Sequence, residues 1–146
     1  MLPDEKEQLL ALFDSDRRWC QDAEARDVYG RPVKFHDPLA TSWDITGAMC
    51  HLFGWTRACT LFGQLERHIN GNRRLLRGWS RDAAIESMVT LQTYNDRPET
   101  EFEVIFTLFE TMPVRTGVSR SLQERVVKHV YCHGGGAGSL IEQTSQ

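Results

Sequence analysis

Between Thr100 and Met112, apolar side chains occupy nearly every position that a helix would turn inward. At about 100° per residue, Phe102, Val104, Ile105, Phe106, Leu108, Phe109 and Met112 cover an arc of roughly 200°, and Glu101, Glu103, Thr107, Glu110 and Thr111 form the polar strip. A helix apolar over that arc needs neighbours on two sides, so the pattern predicts the central rod of a small helical domain. Thr100 followed by Glu103 reads as a capping box at its start.

Other stretches show the same period. Asp4 is placed to cap a first helix with Leu9, Leu10, Phe13 and Cys20 near one face. Ser42 is the expected cap of a helix from 43 to 53, with Asp44 in its positive first turn, Ile45, Ala48, Met49 and Leu52 inward, and Gly54 as its stop. Residues 56 to 70 carry Ala58, Leu61, Phe62, Leu65 and Ile69, and Gly71 ends them. Ser80 opens the next run, with Ala84, Ile85, Met88, Val89 and Leu91. Ser121 with Glu124 opens a last one, with Leu122, Val126, Val127 and Val130. Around Gly30, Pro32 and Pro38 the helical signal fails. The expected fold is therefore all-α: a compact bundle of five or six short helices, with a short irregular hairpin or loop near residues 26–38. Residues 1–133 are expected to form a single helical domain, and the glycine-rich residues 134–146 a flexible tail.

Composition narrows the classes. A chain of 146 residues suits one domain that buries about 70% of its unfolded surface. A formal charge of −3 argues against gripping nucleic acid across a whole face. Cys20, Cys50, Cys59 and Cys132 lack the spacing of a disulfide framework, which fits reduced thiols. The N-terminus is acidic where a secretory signal would be basic, and no apolar run is long enough to span a bilayer, so the expectation is a cytoplasmic protein away from membranes.

The polar junctions carry a pattern: Trp19-Cys20-Gln21, Ala25-Arg26-Asp27, Gly30-Arg31-Pro32-Val33, Asp37-Pro38, Ser42-Trp43 with Gly47-Ala48, and Asn95-Asp96 with Thr100 and Glu103-Val104. Together they resemble a family of small bacterial and phage proteins designated domain of unknown function 6197, over about residues 6–112. In that family an aromatic, often tryptophan, stands at the position of Tyr94, and a cysteine is common at that of Asp44. The resemblance implies a shared small helical fold and supplies no mechanism.

Three constellations could bear chemistry. Asn95 and Asp96, held before an apolar helix, could orient a ligand hydroxyl or accept a proton, and Arg26, Asp27 and Asp37 could fold beside them as a charged pocket. The structural alternative has Asp96 capping the residues after it and Asn95 in a tight turn. His129, Cys132 and His133 fall on one side of a helix as weak metal-ligand candidates, but no second pair of ligands accompanies them, so no metal or cofactor is expected. From Arg67 to Arg81 the chain holds five arginines and no acid. There Arg73, Arg74 and Arg77, with Trp79 as a stacking face, are the candidates for phosphate or RNA contact. Absent a recognised catalytic set, the sequence favours a non-catalytic binding or regulatory module with a protein or small-molecule partner. One alternative is a small-molecule or nucleotide-processing enzyme with a site at Asp27, Asp37, Asn95 and Asp96; the other is RNA or nucleotide binding through the basic segment. Self-association through Phe102 and Phe106 as a homodimer is a further expectation.

Overall fold

The computed structural model describes residues 1–71 and 80–115. Its longest element is α2, Ile45–Ile69, which merges the two helices expected on either side of Gly54 into one run kinked at that glycine (φ 74°, ψ 162°). Along it Ile45, Ala48, Met49, Ala58, Leu61, Phe62 and Leu65 are buried, and it packs most extensively on α3, Arg81–Asn95. This helix, rather than the one after Thr100, is the element the core surrounds. α1 is Pro3–Leu12, with proline at its first turn and Glu5 accepting a hydrogen bond from the Leu2 N–H at 2.7 Å; Asp4 lies inside the helix and does not cap it. The Arg57 guanidinium closes a two-pronged pair on Glu5, at 2.6 and 2.9 Å, and ties α1 to α2.

α4, Phe102–Thr111, packs beside α1, with Phe13 and Phe109 stacked at 5.5 Å. Only one of its faces is deeply covered. Ile105, Leu108, Phe109 and Met112 are buried, Phe102 and Phe106 are half-buried against the core, and Val104 is exposed. The capping box expected at Thr100 and Glu103 does not form, because the Thr100 hydroxyl donates to the Tyr94 carbonyl at 2.8 Å and Glu101 occupies the cap position.

The all-α expectation is overturned. Among the described residues there are four α-helices and a three-stranded antiparallel sheet, not a bundle of five or six helices. The strands are β1, Ala25–Asp27, β2, Pro32–Val33, and β3, Ala40–Trp43, in the order β2-β1-β3. Residues 26–38, expected as a short irregular hairpin or loop, do form a hairpin, in which Arg26, Asp27, Pro32 and Val33 are strand and the remainder is turn or irregular. Ala25 pairs with Val33 on one side and Trp43 on the other, and an irregularity after Arg26 sets Asp27 opposite Ala40. Such strands are too short for alternation to show in sequence, and it is cross-strand pairing that makes them. Ser42 lies within β3, and Asp44 is the residue that caps α2. α3 begins as expected, with the Ser80 hydroxyl accepting the Ala83 N–H.

The chain divides into two units, Met1–Val114 and Arg115–Gln146. The expected last helix and glycine tail lie outside the described residues. Among the described residues no helix is long and apolar enough to cross a membrane.

Candidate functional site

Asn95 is the last residue of α3 and is completely buried (0% exposed). A polar side chain at such depth is stable only when its donors and acceptors are met. Its Oδ1 accepts from the Trp19 indole N–H at 2.8 Å and the Ile45 N–H at 3.4 Å, while its Nδ2 donates to the Cys20 carbonyl at 3.0 Å and to Asp96 Oδ1 at 2.8 Å. Asp96 in turn accepts the Asp22 N–H at 2.9 Å. Gln21 completes the junction, its Nε2 donating to the carbonyls of Asn95 (2.7 Å) and Arg97 (3.1 Å). Neither member of the pair plays the expected local role. Asn95 ends a helix instead of making a tight turn, and Asp96 is the C-cap of that helix instead of the N-terminal cap of residues 97–99.

Facing this junction is Asp44, 2% exposed. Its carboxylate caps α2 by accepting the Gly47 N–H, and it takes the Thr46 hydroxyl at 3.0 and 3.1 Å. The Gln92 amide reaches Thr46 from α3 at 3.3 Å, and the Asp44 N–H donates to the Glu24 carbonyl at 3.1 Å. Burial pushes the Asp44 carboxyl up to about 7, against the hydrogen bonds from Gly47 and Thr46, and the nearby Asp96 and Glu24 charges push it the same way. Burial also lifts the Cys20 and Cys50 thiols to about 12, with Asp44 adding to the rise, so neither is a ready thiolate nucleophile.

The close approach of two backbones explains Gly47. A Cβ there would overlap the Glu24 carbonyl oxygen, which is itself held by Asp44. Gly47→Ala is expected to cost about 3 kcal/mol, as overpacking against fixed backbone does, measured by urea unfolding; a loss below about 1 kcal/mol would show that the backbone at Glu24 yields.

Asp27 serves the hairpin. Its Oδ1 accepts the N–H groups of Tyr29 and Arg31, both at 2.9 Å, and its Oδ2 takes Arg31 Nε and Nη2, both at 2.7 Å. Burial raises its pKa, and those hydrogen bonds from Arg31 and Tyr29 outweigh it and hold the carboxyl below its ordinary value. The turn closes with the Gly30 N–H on the Asp27 carbonyl and the Asp27 N–H on the Arg31 carbonyl, with Gly30 at φ 77°, a conformation that favours glycine. Arg26 donates to the Gly30 carbonyl at 2.8 Å and the Gln21 carbonyl at 3.0 Å, which links the hairpin to the Asn95 junction through Gln21. Asp37 makes a local turn, accepting the Leu39 N–H at 2.8 Å.

The structure therefore joins Asn95, Asp96 and, through Gln21, Arg26. Among the described residues no hydrogen bond or ion pair connects Asp27 or Asp37 to that pair. Arg73, Arg74, Arg77 and Trp79, like His129, Cys132 and His133, lie outside the described residues. Among the described residues no group of three histidines, cysteines or carboxylates could hold a metal ion.

Sequence reasoning assigned no chemical role to Trp19, Gln21, Gln92 or Glu24, since nothing local marks a residue whose partner stands tens of positions away. It also missed an apolar cluster at one end of the sheet. Val28 and Tyr29 at the hairpin turn are 74% and 80% exposed, and the register of Asp27 with Ala40 brings Leu39, 62% exposed, to the same end. Two bulky apolar residues immediately before a turn glycine were the available signal. Comparison with protein-family models, characterised proteins and solved structures finds no match for this chain.

Proposed function

We propose that this chain is a non-catalytic binding module whose contact surface is the sheet end formed by Val28, Tyr29 and Leu39. The observation that carries this is their exposure: they are the most exposed of the large apolar side chains among the described residues, and they fall together. Tyrosine offers broad contact area with few rotamers to freeze, and Asp27 already fixes the turn that presents it. The polar residues that suggested a pocket support the same reading, since each is engaged in holding backbone. Asn95 and Asp44 lie too deep to meet a substrate atom in this conformation.

Trp19, Gln21, Gly47, Asn95 and Asp96, all part of the pattern shared with domain of unknown function 6197, sit in or against one junction, which is in keeping with membership of that family. Buried free thiols at Cys20, Cys50 and Cys59 support a reducing, cytoplasmic setting.

The test is quantitative co-purification of partners from host extract. The triple variant Val28→Ser, Tyr29→Ala, Leu39→Ser is expected to lose them by at least tenfold while its Tm stays within a few degrees, as exposed substitutions do. The exposed α3 variant Val89→Ser is expected to keep them. Partners retained by the triple variant would remove this surface from the function. Retention on a polyanion that falls steeply with salt, and that vanishes when Arg73, Arg74 and Arg77 become Ser, would move the contact to the basic segment instead.

A further inference from the structure

Residues 20–43 form an arm with a single neck. The Cys20 N–H donates to the Trp43 carbonyl at 3.0 Å, so the chain enters and leaves the sheet at the same place. Of the strand residues, only Ala25 and Trp43 bring buried apolar side chains, and the helices hold the sheet chiefly where β3 meets α2. α2 and α3, by contrast, share the most extensive packing in the molecule. Much of the arm's attachment therefore falls to the polar junction. Trp19 and Cys20 bond to Asn95, Gln21 to the Asn95 and Arg97 carbonyls, the Asp22 N–H to Asp96, and the Asp44 N–H to the Glu24 carbonyl.

Asp44 sits at this neck, where a charge is poorly tolerated. Among the described residues no ion pair reaches it. The titratable groups around it are Cys20, Glu24 and, beyond Cys20, Arg26 on the strand side, Cys50 on α2, and Asp96 at the end of α3. Glu24 is met by Lys34 at 3.2 Å, Asp96 by Asn95 and the Asp22 N–H, and Arg26 is engaged by the Gln21 and Gly30 carbonyls. A buried carboxylate with two others nearby and no cation of its own favours the neutral form, which is the direction its pKa takes. Water can reach the ionised form only when one of its covers lifts, and the arm is the cover with the least apolar contact to lose.

We infer that the sheet is a proton-gated arm: loss of the Asp44 proton to solvent opens the neck, and residues 20–43 part from the N-terminus of α2 while α2 and α3 stay packed. The arm carries Val28, Tyr29 and Leu39. On the reading that they form a contact surface, its presentation changes as pH rises; the gating itself does not depend on that reading.

The test is amide hydrogen exchange of the full chain from pH 5 to 8, corrected for intrinsic rates and read by mass spectrometry on peptides from residues 20–43, 55–69 and 81–95. Arm amides are expected to be at least about tenfold less protected than those of the helices at every pH. They should lose roughly 30-fold or more of their protection between pH 5 and 8. Helix amides exchange through unfolding, which frees the same carboxylate, so they fall in parallel from a higher level. Asp44→Asn keeps a capping oxygen and has no proton to lose, so its arm protection should vary less than about threefold. Asp44→Ser serves the same purpose if the amide variant fails to fold. Equal protection in arm and helices would mean that the chain opens only as a whole, and would overturn the arm. Arm protection that is steady with pH in the unmodified chain, or that falls as steeply in the variants, would overturn the role of Asp44. Either result leaves the contact surface to be decided by co-purification.

Discussion

Asn95→Leu is expected to destabilise the protein by about 4 kcal/mol, read as a shift of the urea midpoint at constant slope. Leucine has the branched skeleton of asparagine and is bulkier, so none of the loss comes from a cavity. It comes from groups left without partners: the indole N–H of half-buried Trp19, and the Cys20 carbonyl and Ile45 N–H, both buried, around a residue with no access to water. Each such orphan costs about 1–3 kcal/mol, and the Ile45 bond, the longest at 3.4 Å, contributes least. Asn95→Asp should also be costly, because it removes the donor to Cys20 and sets another carboxylate beside Asp96. A change below about 1 kcal/mol for Asn95→Leu would mean that water or a rearranged neighbour satisfies these groups.

Stability is also expected to decline as pH rises from 4 to 8. Asp44 titrates near its ordinary value of 3.8 when unfolded, and burial raises it to about 7 in the folded chain. The folded protein therefore holds this proton more tightly. The stabilisation is complete below pH 3.8 and is lost as pH climbs through 7, by up to ~4 kcal/mol for a shift of this size. Other groups act outside this window. Glu5 and Asp27 are lowered in the folded state, and their contributions fade only as pH falls below the usual carboxylate range. Cys20 and Cys50, raised from 9.0 to about 12, weaken the fold only above about pH 9. Asp44→Asn isolates the effect, because an amide oxygen still accepts the Gly47 N–H at the cap while carrying no titratable proton. The variant should flatten the decline across this range. An undiminished slope in Asp44→Asn would assign the proton elsewhere.

The sequence was informative about helices where caps and periodicity agree. Ser80 and the apolar run to Leu91 mark α3, and Gly54 marks the break in α2. It misled wherever a side chain bonds at long range. Thr100 has the composition of a capping box, yet its hydroxyl is drawn to Tyr94; Ser42 looks like a cap, yet two positions later Asp44 takes that role. The strands escaped notice because two to four residues offer too few alternations to count, and their order depends on partners up to eighteen positions apart. For the candidate site, Asn95 and Asp96 were legible as important polar residues but not as parts of a buried junction. Asparagine's preference for turns pointed the wrong way, and nothing near Trp19 announces a bond to residue 95. The exposed sheet end was hidden by the habit of treating apolar residues as interior.

The bond from Trp19 to Asn95 spans 76 positions, and those from Asp22 and Cys20 span nearly as many. Closing so long a loop is entropically costly and yields its reward only once α3 has docked, so these contacts belong late on the folding path. Weakening the junction should accordingly leave the refolding rate almost unchanged and speed escape from the native state. In stopped-flow traces the loss in Asn95→Leu is expected on the unfolding limb, making this knot of side chains the latch that governs how long each folded molecule lasts.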